Sequence, residues 1–356
     1  MRFLPNLHKL QFKQWGDAAS FRNLLKGLPR PILIVHGTTF VKIGGLDWIG
    51  RLFESLKAEI ECVQIEGEPT VQKVLELEPW NCQSKTVVGI GSGSVLDLAK
   101  LLSLHFESKE HFEKHLHPRS EKLQKGSKSR RLVLLPSNFS SGSFVSPSMV
   151  FRDEKEVLSV FSTEFQADEV IIQTDLCSNM SEELFKTSCV DPLAHFLDIF
   201  LGLQDKEFLL KASLGGWWQQ YHYELAQKPL DLKNLYLLSS FLVGGHFPTG
   251  RMQWPLHQMA HQLSLHTGQR HCQTLLALLP PFLEVLSKED SLKNLLREIH
   301  TFLAMLGVRE ELDRNAVREV VHHLRKIYPD ASHFMGRSGY SWEDFEPFLN
   351  KDSKAE

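Results

Sequence analysis

Residues 86–100 read TVVGIGSGSVLDLAK. The β-branched run Thr86–Ile90 predicts a buried strand, and the stretch from Ser94 to Leu104 predicts a helix. Gly91, Ser92 and Gly93 stand between them. Glycines let the backbone come close to a ligand, and free N–H groups at a helix start favour phosphate. The run is not the GxGxxG fingerprint, because Ser94 stands where the third glycine would be. A tight strand-to-helix turn, with Ser94 as N-cap and Asp97 closing a capping-box-like pair, accounts for the same residues.

Outward from this unit the pattern repeats. Short apolar runs at Ile32–Val35, Cys62–Ile65, Leu132–Leu135 and Val170–Gln173 predict further strands. A helix is expected over Leu46–Leu56, and another opens at Pro69 and Thr70, since proline suits a first helical turn. Strands separated by helices imply parallel pairing and right-handed crossovers, hence a doubly wound α/β domain. After about Cys177 the strand-like runs stop and period-3.6 patterns continue to Phe348, which predicts an all-helical half. The expected domains are 1–177 and 178–356.

Composition narrows the class. The 356 residues are 42% hydrophobic and 23% charged, ordinary for a globular chain with two cores. A net charge of -3 gives no whole-protein attraction to nucleic acid or anionic membrane. The five cysteines show no CxxC spacing, which argues against a disulfide framework or zinc finger and for a reducing cytosol. The N-terminal stretch has no signal-peptide apolar core, and no apolar run suits a membrane span. The polar segment Glu107–Arg131 reads as a solvated helix and loop.

The helical half carries the second constellation. Asp191 and His195 are four apart in SCVDPLAHFLDIF, and His257 and His261 repeat that spacing in WPLHQMAHQLSL. Spacing i, i+4 puts each pair on one helix face. His271 follows fourteen residues after His257. A carboxylate and several imidazoles on apolar helix faces suit a divalent metal such as Fe²⁺ or Zn²⁺.

Taken in order, these motifs resemble the iron-containing alcohol dehydrogenases, a family that includes glycerol dehydrogenases and, more distantly, dehydroquinate synthases. GSGSVLDLAK at 91–100 is similar to the family's GGGSxxDxAK, and Glu68-Pro69-Thr70 lies upstream of it. LPSNFSSGSFVS at 135–146 is similar to PTTxGTGSEVT, VDPLAH at 190–195 to MDALTH, and HQMAHQLSLHTGQRH at 257–271 to HxxAHxxG…PH. The resemblance implies a Rossmann-like nucleotide-binding domain followed by a helical metal- and substrate-binding domain, the dehydroquinate synthase-like architecture. It makes Asp191, His195, His257 and His271 the metal ligands and sets His261 beside substrate and nicotinamide. Gly91, Ser92, Gly93 and Ser94 would hold the pyrophosphate, Asp97 would lie near the nicotinamide, and Ser137, Asn138 and Ser141 would line the cofactor groove. Here Ser137 and Asn138 replace the loop threonines, Phe144 its glutamate, Leu265 the glycine after the second histidine, and Ser159 stands near a customary lysine.

The implied activity is hydride transfer between a primary alcohol or aldehyde and NAD(P), with Fe²⁺ or Zn²⁺ as Lewis acid. His261 would relay the proton, and His261 and Asp97 are the expected catalytic side chains. The implied protein is a cytoplasmic homodimer whose partner is a small alcohol or aldehyde, with neither nucleic acid nor membrane. In ILIVHGTTFVK at 32–42, Gly37 takes the place of the family's ribose-binding aspartate and Thr38 and Thr39 follow, which predicts NADP(H) over NAD(H). Phe139, Phe144, Phe247 and Trp254 are expected to make the substrate pocket apolar. A dehydroquinate synthase-like lyase acting on a phosphorylated sugar acid is the alternative, and it needs more basic residues near the histidines than Arg251 and Arg270. A catalytically inert binding protein would not be expected to keep four ligand positions.

Overall fold

The computed structural model describes residues 10–13, 26–42, 60–116, 128–153, 157–173, 176, 180–203, 208–246, 255–307, 312–335 and 339–348. The expected helix at Leu46–Leu56 lies outside them. The chain forms two compact units, Met1–Met180 with Asp231–Pro248, and Ser181–Leu230 with Thr249–Glu356.

The first unit is built on a six-stranded sheet. Its strands are β1 (Leu10–Lys13), β2 (Ile32–Gly37), β3 (Ile60–Ile65), β4 (Thr86–Gly91), β5 (Arg131–Pro136) and β8 (Glu169–Gln173), in the order β1-β8-β5-β4-β2-β3. Every neighbouring pair is parallel. β4 is buried at all its residues, as a parallel strand covered on both faces must be. Ile32 and Ile34, Val88 and Ile90, and Val133 and Leu135 share one core cluster with Ile171, which follows from the period of two along each strand.

The expected strands are all present, each extended by a residue or more. Two features were not expected. β1 pairs with β8, Leu10 opposite Val170, across more than 150 residues of chain. β6 (Ser148–Arg152) and β7 (Val157–Phe161) form an antiparallel hairpin with Val150 opposite Ser159.

The helices of this unit include α1 (Thr38–Lys42), α2 (Val71–Glu76), α3 (Gly93–Leu102) and α4 (Lys109–Leu116). Thr70 caps α2, its hydroxyl accepting from Lys73 N at 3.1 Å. α3 starts one residue before the expected cap: Ser92, not Ser94, is the N-cap and makes no side-chain cap bond. Arg130 is buried and donates to the carbonyls of Cys82, Ser84, Leu102 and Leu104, which fastens the start of β5 to the end of α3.

The second unit is helical: α5 (Glu182–Ser188), α6 (Val190–Gly202), α7 (Phe208–Ala226), α9 (Pro255–Thr267), α10 (His271–Leu286), α11 (Lys293–Leu306), α12 (Arg314–Ile327) and α13 (Ala331–Met335). The remaining helix, α8 (Leu232–His246), belongs to the first unit, where Tyr236 Oη donates to Pro136 O at 3.0 Å. No helix among the described residues is long and apolar enough to cross a membrane.

Gly89 sets how closely α3 lies on the sheet. A Cβ there would meet Ala99 Cβ at 2.7 Å and Leu134 Cδ2 at 3.0 Å. Gly89→Ala is therefore expected to cost about 1–3 kcal/mol, as overpacking does. Ala99→Gly in the same chain removes the nearer clash and should recover part of the loss, read as a rise in Tm over the single variant. A Gly89→Ala protein that melts with the parent would show that α3 is free to move outward.

Candidate metal centre and nucleotide pocket

In the first unit a pocket opens at the carboxyl ends of β2, β3 and β4. Gly37, Thr38, Glu66, Gly67, Gly91, Ser92 and Ser137 line it, with Val95 and Ile90 as part of its apolar floor. Parallel sheets bind ligands at this end of their strands. The first four N–H groups of a helix lack intrahelical partners, and α3 begins here. A Cβ on Gly91 would lie 2.6 Å from Val95 Cγ2, so only glycine gives this close turn.

Five of the sequence-derived cofactor residues, Gly37, Thr38, Gly91, Ser92 and Ser137, meet in that pocket. Gly93 and Ser94 occupy the first turn of α3, and Gly93 faces Ser141, whose Oγ would stand 3.1 Å from an added Cβ. Asn138 Oδ1 accepts from Ser140 N at 2.8 Å, an Asx turn that shapes the loop after β5. Thr39 lies in α1. Glu66 was not anticipated. It directly follows β3, and that position was the signal that would have found it.

Asp97 is held inside this unit. Oδ1 accepts from Lys100 Nζ at 3.1 Å and Ser143 Oγ at 2.6 Å, and Oδ2 from Val150 N at 3.0 Å. Lys100 is fully buried and also donates to Ser143 Oγ and Ser148 O. Burial pushes the Lys100 ammonium down from its usual range, against the pull of Asp97. The pair thus ties α3 to the loop after β5 and to the hairpin. Phe139 and Phe144 are buried edge-on against Tyr236 and serve that core, while Phe247 and Trp254 lie outside the described residues.

In the second unit, α6 brings Asp191, His195 and Asp198 along one side, α9 brings His257 and His261, and α10 begins at His271. One ligating atom each from Asp191, His257 and His271 lie within 4.8 Å of one another. Two donors on one tetrahedral ion at bonds of about 2.0–2.2 Å stand ~3.3–3.6 Å apart, and His257 Nε2 already lies 3.2 Å from Asp191 Oδ1. His195 stacks on His257, centroids 4.3 Å apart, with Nδ1 3.6 Å from Asp191 Oδ1. His261 stacks on His271 with centroids 4.1 Å apart. The Nδ1 atoms of His261 and His271 are buried with no hydrogen-bond partner among the described residues.

The electrostatics suit a cation. Burial alone would raise Asp191, yet the neighbouring His195 and the hydrogen bond from His257 hold it well below the usual carboxylate range. Burial would lower His257, but its bonds to Asp191 and Asp198 carry it up to about 9. Burial, helped by the charge of His257, pushes His195 and His271 down, and burial pushes His261 well down. Burial also pushes the Asp198 carboxyl up, against its bonds from His257. With both carboxylates ionised, the protonated imidazole therefore offsets only one of two enclosed negative charges, which is costly. A divalent ion in place of the His257 Nε2 proton brings the group to neutrality. The donor set and its charge therefore fit a divalent transition metal.

Residues 11–174 match the sequence profile of the family described as iron-containing alcohol dehydrogenase. An alcohol dehydrogenase of Thermococcus barophilus is 28% identical over 191 residues, 52% of this chain and 50% of that protein. The match thus spans about half the length of that relative. Solved structures are similar over nearly the whole chain. The NADH-dependent butanol dehydrogenase A of Thermotoga maritima superposes with a TM-score of 0.76 at 18% identity, covering 96% of each chain. The iron-containing alcohol dehydrogenase of Thermococcus thioreducens gives 0.76 at 20%, covering 96% of this chain and 97% of that one. An archaeal alcohol dehydrogenase from a Red Sea brine pool, bound to NZQ, gives 0.78 at 17%, covering 96% of each. The resemblance drawn from the motifs is borne out, by sequence over residues 11–174 and by fold across both units.

His257→Ala takes one of the clustered donors away. The variant is expected to bind less than a tenth of the zinc or iron held by the parent, by elemental analysis after loading and desalting. Full metal content would remove His257 from the ligand set.

Proposed function

From a chain with the fold of the iron-containing alcohol dehydrogenases, we propose a metal-dependent oxidoreductase that moves hydride between a primary alcohol or aldehyde and NAD(P). The observation that carries this reading is the convergence of Asp191, His257 and His271, with His195 stacked against them. A divalent metal, Fe²⁺ or Zn²⁺, would supply Lewis acidity toward the substrate oxygen, and the nicotinamide would carry the hydride. Asp191, His195, His257 and His271 are the residues proposed to hold that ion. The proposal includes a homodimer in a reducing cytosol.

His261 is the proposed proton carrier. Burial keeps its imidazole neutral at physiological pH, and its Nδ1 has no protein partner among the described residues. A neutral, positioned imidazole can take the proton of a substrate hydroxyl and return it. Asp97 would act indirectly, by fixing the loop that presents Ser137 and Ser141 to the cofactor. The first-turn N–H groups of α3, with Ser92 and Ser137, would bind the pyrophosphate.

The finer proposal is a preference for NADP(H). Gly37 brings no carboxylate to the ribose end, and Thr38 offers a hydroxyl to a 2′-phosphate. Glu66 faces the same pocket and opposes that phosphate, so it limits the preference.

Metal-reconstituted protein given a panel of aldehydes should oxidise NADPH about tenfold more efficiently than NADH, a gap of about 1.4 kcal/mol. Glu66→Gln should widen that ratio by lowering KM for NADPH. The reverse change, Gly37→Asp, must displace Val95, whose Cγ2 would lie 3.2 Å from the new Cβ. Parity between the cofactors in the parent and in Glu66→Gln alike would show that Gly37 is only a turn. No nicotinamide turnover with any aldehyde in either direction would end the dehydrogenase reading. For His261, the variant His261→Ala should keep its metal and lose turnover by about 10²-fold or more, the low end of general acid–base contributions. An unaltered pH–rate curve in that variant would remove the proton role.

A further inference from the structure

Asp198 lies on α6 seven residues after Asp191 and three after His195, and its side chain is fully enclosed. Its carboxylate reaches α9. Oδ1 accepts from Leu256 N at 3.0 Å, and Oδ2 accepts from His257 N at 3.2 Å and from His257 Nδ1 at 2.7 Å. The opposite ring nitrogen, Nε2, points to Asp191 Oδ1 at 3.2 Å. One carboxylate thus fixes both where α9 begins and which way the His257 ring faces.

The geometry points to Asp198 as the positioning residue of the metal centre: it keeps the His257 proton on Nδ1 and so leaves the Nε2 lone pair for the ion. The inference rests on the reading of Asp191, His257 and His271 as ligands. An imidazole bound through one nitrogen commonly donates its other N–H to a carboxylate, which sets the tautomer and makes the ligand more basic. A neutral imidazole has one protonated and one free nitrogen, so an acceptor at Nδ1 selects the free Nε2. The two backbone N–H groups that Asp198 also receives leave no room for a donor at its place. An asparagine there would turn its NH₂ toward either a backbone N–H or Nδ1.

Asp198→Asn preserves the side chain's shape, exchanges one of the two acceptor oxygens for a donor and removes the charge. Zinc affinity of parent and variant, measured by competition with a chromophoric chelator, should differ by roughly 10–100-fold, as when a partner behind a metal ligand is lost. A structural cap alone would lower the Tm of the metal-free variant and leave the zinc affinity of its folded fraction unchanged. Equal affinity in the folded variant therefore overturns the proposal. Should Asp198→Asn fail to fold, ¹⁵N-histidine spectra of the zinc-loaded parent decide: protonated Nδ1 with metallated Nε2 on His257 is expected, and the opposite tautomer overturns the proposal. A parent that binds neither zinc nor iron refutes the metal-centre reading itself, an outcome distinct from parent and variant binding zinc alike.

Discussion

The approach of α3 to β4 governs the first unit. Two glycines permit it, because a Cβ on Gly89 or Gly91 would stand within 2.7 Å of an α3 side chain. The close approach brings the start of the helix over the end of the sheet, where its unpaired N–H groups can meet an anion. The same approach carries Asp97 and Lys100 beneath the loop after β5. There they bind Ser143, Ser148 and Val150 and hold that loop against the helix. Loosening the helix would release the pocket and the loop together.

Buried charge organises the second unit in a similar way. Asp191 and Asp198 come from one helix, His257 from another and His271 from a third. Asp191, Asp198 and His257 are enclosed and would each be costly alone, while His271 is partly buried. Together they form a set in which every charge has an opposite neighbour, with one position more suited to a cation than to a proton. The stacking of His195 on His257 and of His261 on His271 limits how far the rings can turn.

Much of this was legible in the chain. The run TVVGIGSGSVLDLAK specified strand, turn and helix within a few residues, because β-branched content and paired glycines act locally. The spacing of Asp191 and His195, and of His257 and His261, placed each pair on one helix face. Glu66 was marked by its place directly after a strand, whereas Asp198 was visible only as an acid in an apolar helix and nothing local gave it a role. Phe139 and Phe144, expected at a substrate pocket, are core because Tyr236 arrives from α8.

The sequence by itself determined the alternation of strand and helix, the switch to helices near Cys177 and the candidate donors, since these depend on periods of two and 3.6 and on residue type. Tertiary structure alone decided that LQFK at 10–13 becomes an edge strand beside β8, that Asp97 turns inward to Lys100, and that Asp198 rather than a backbone group holds His257. Those outcomes depend on partners 160 residues, 3 residues and 59 residues away respectively. Even the nearest was undecided locally, because burial by a distant hairpin makes the Asp97–Lys100 bond obligatory.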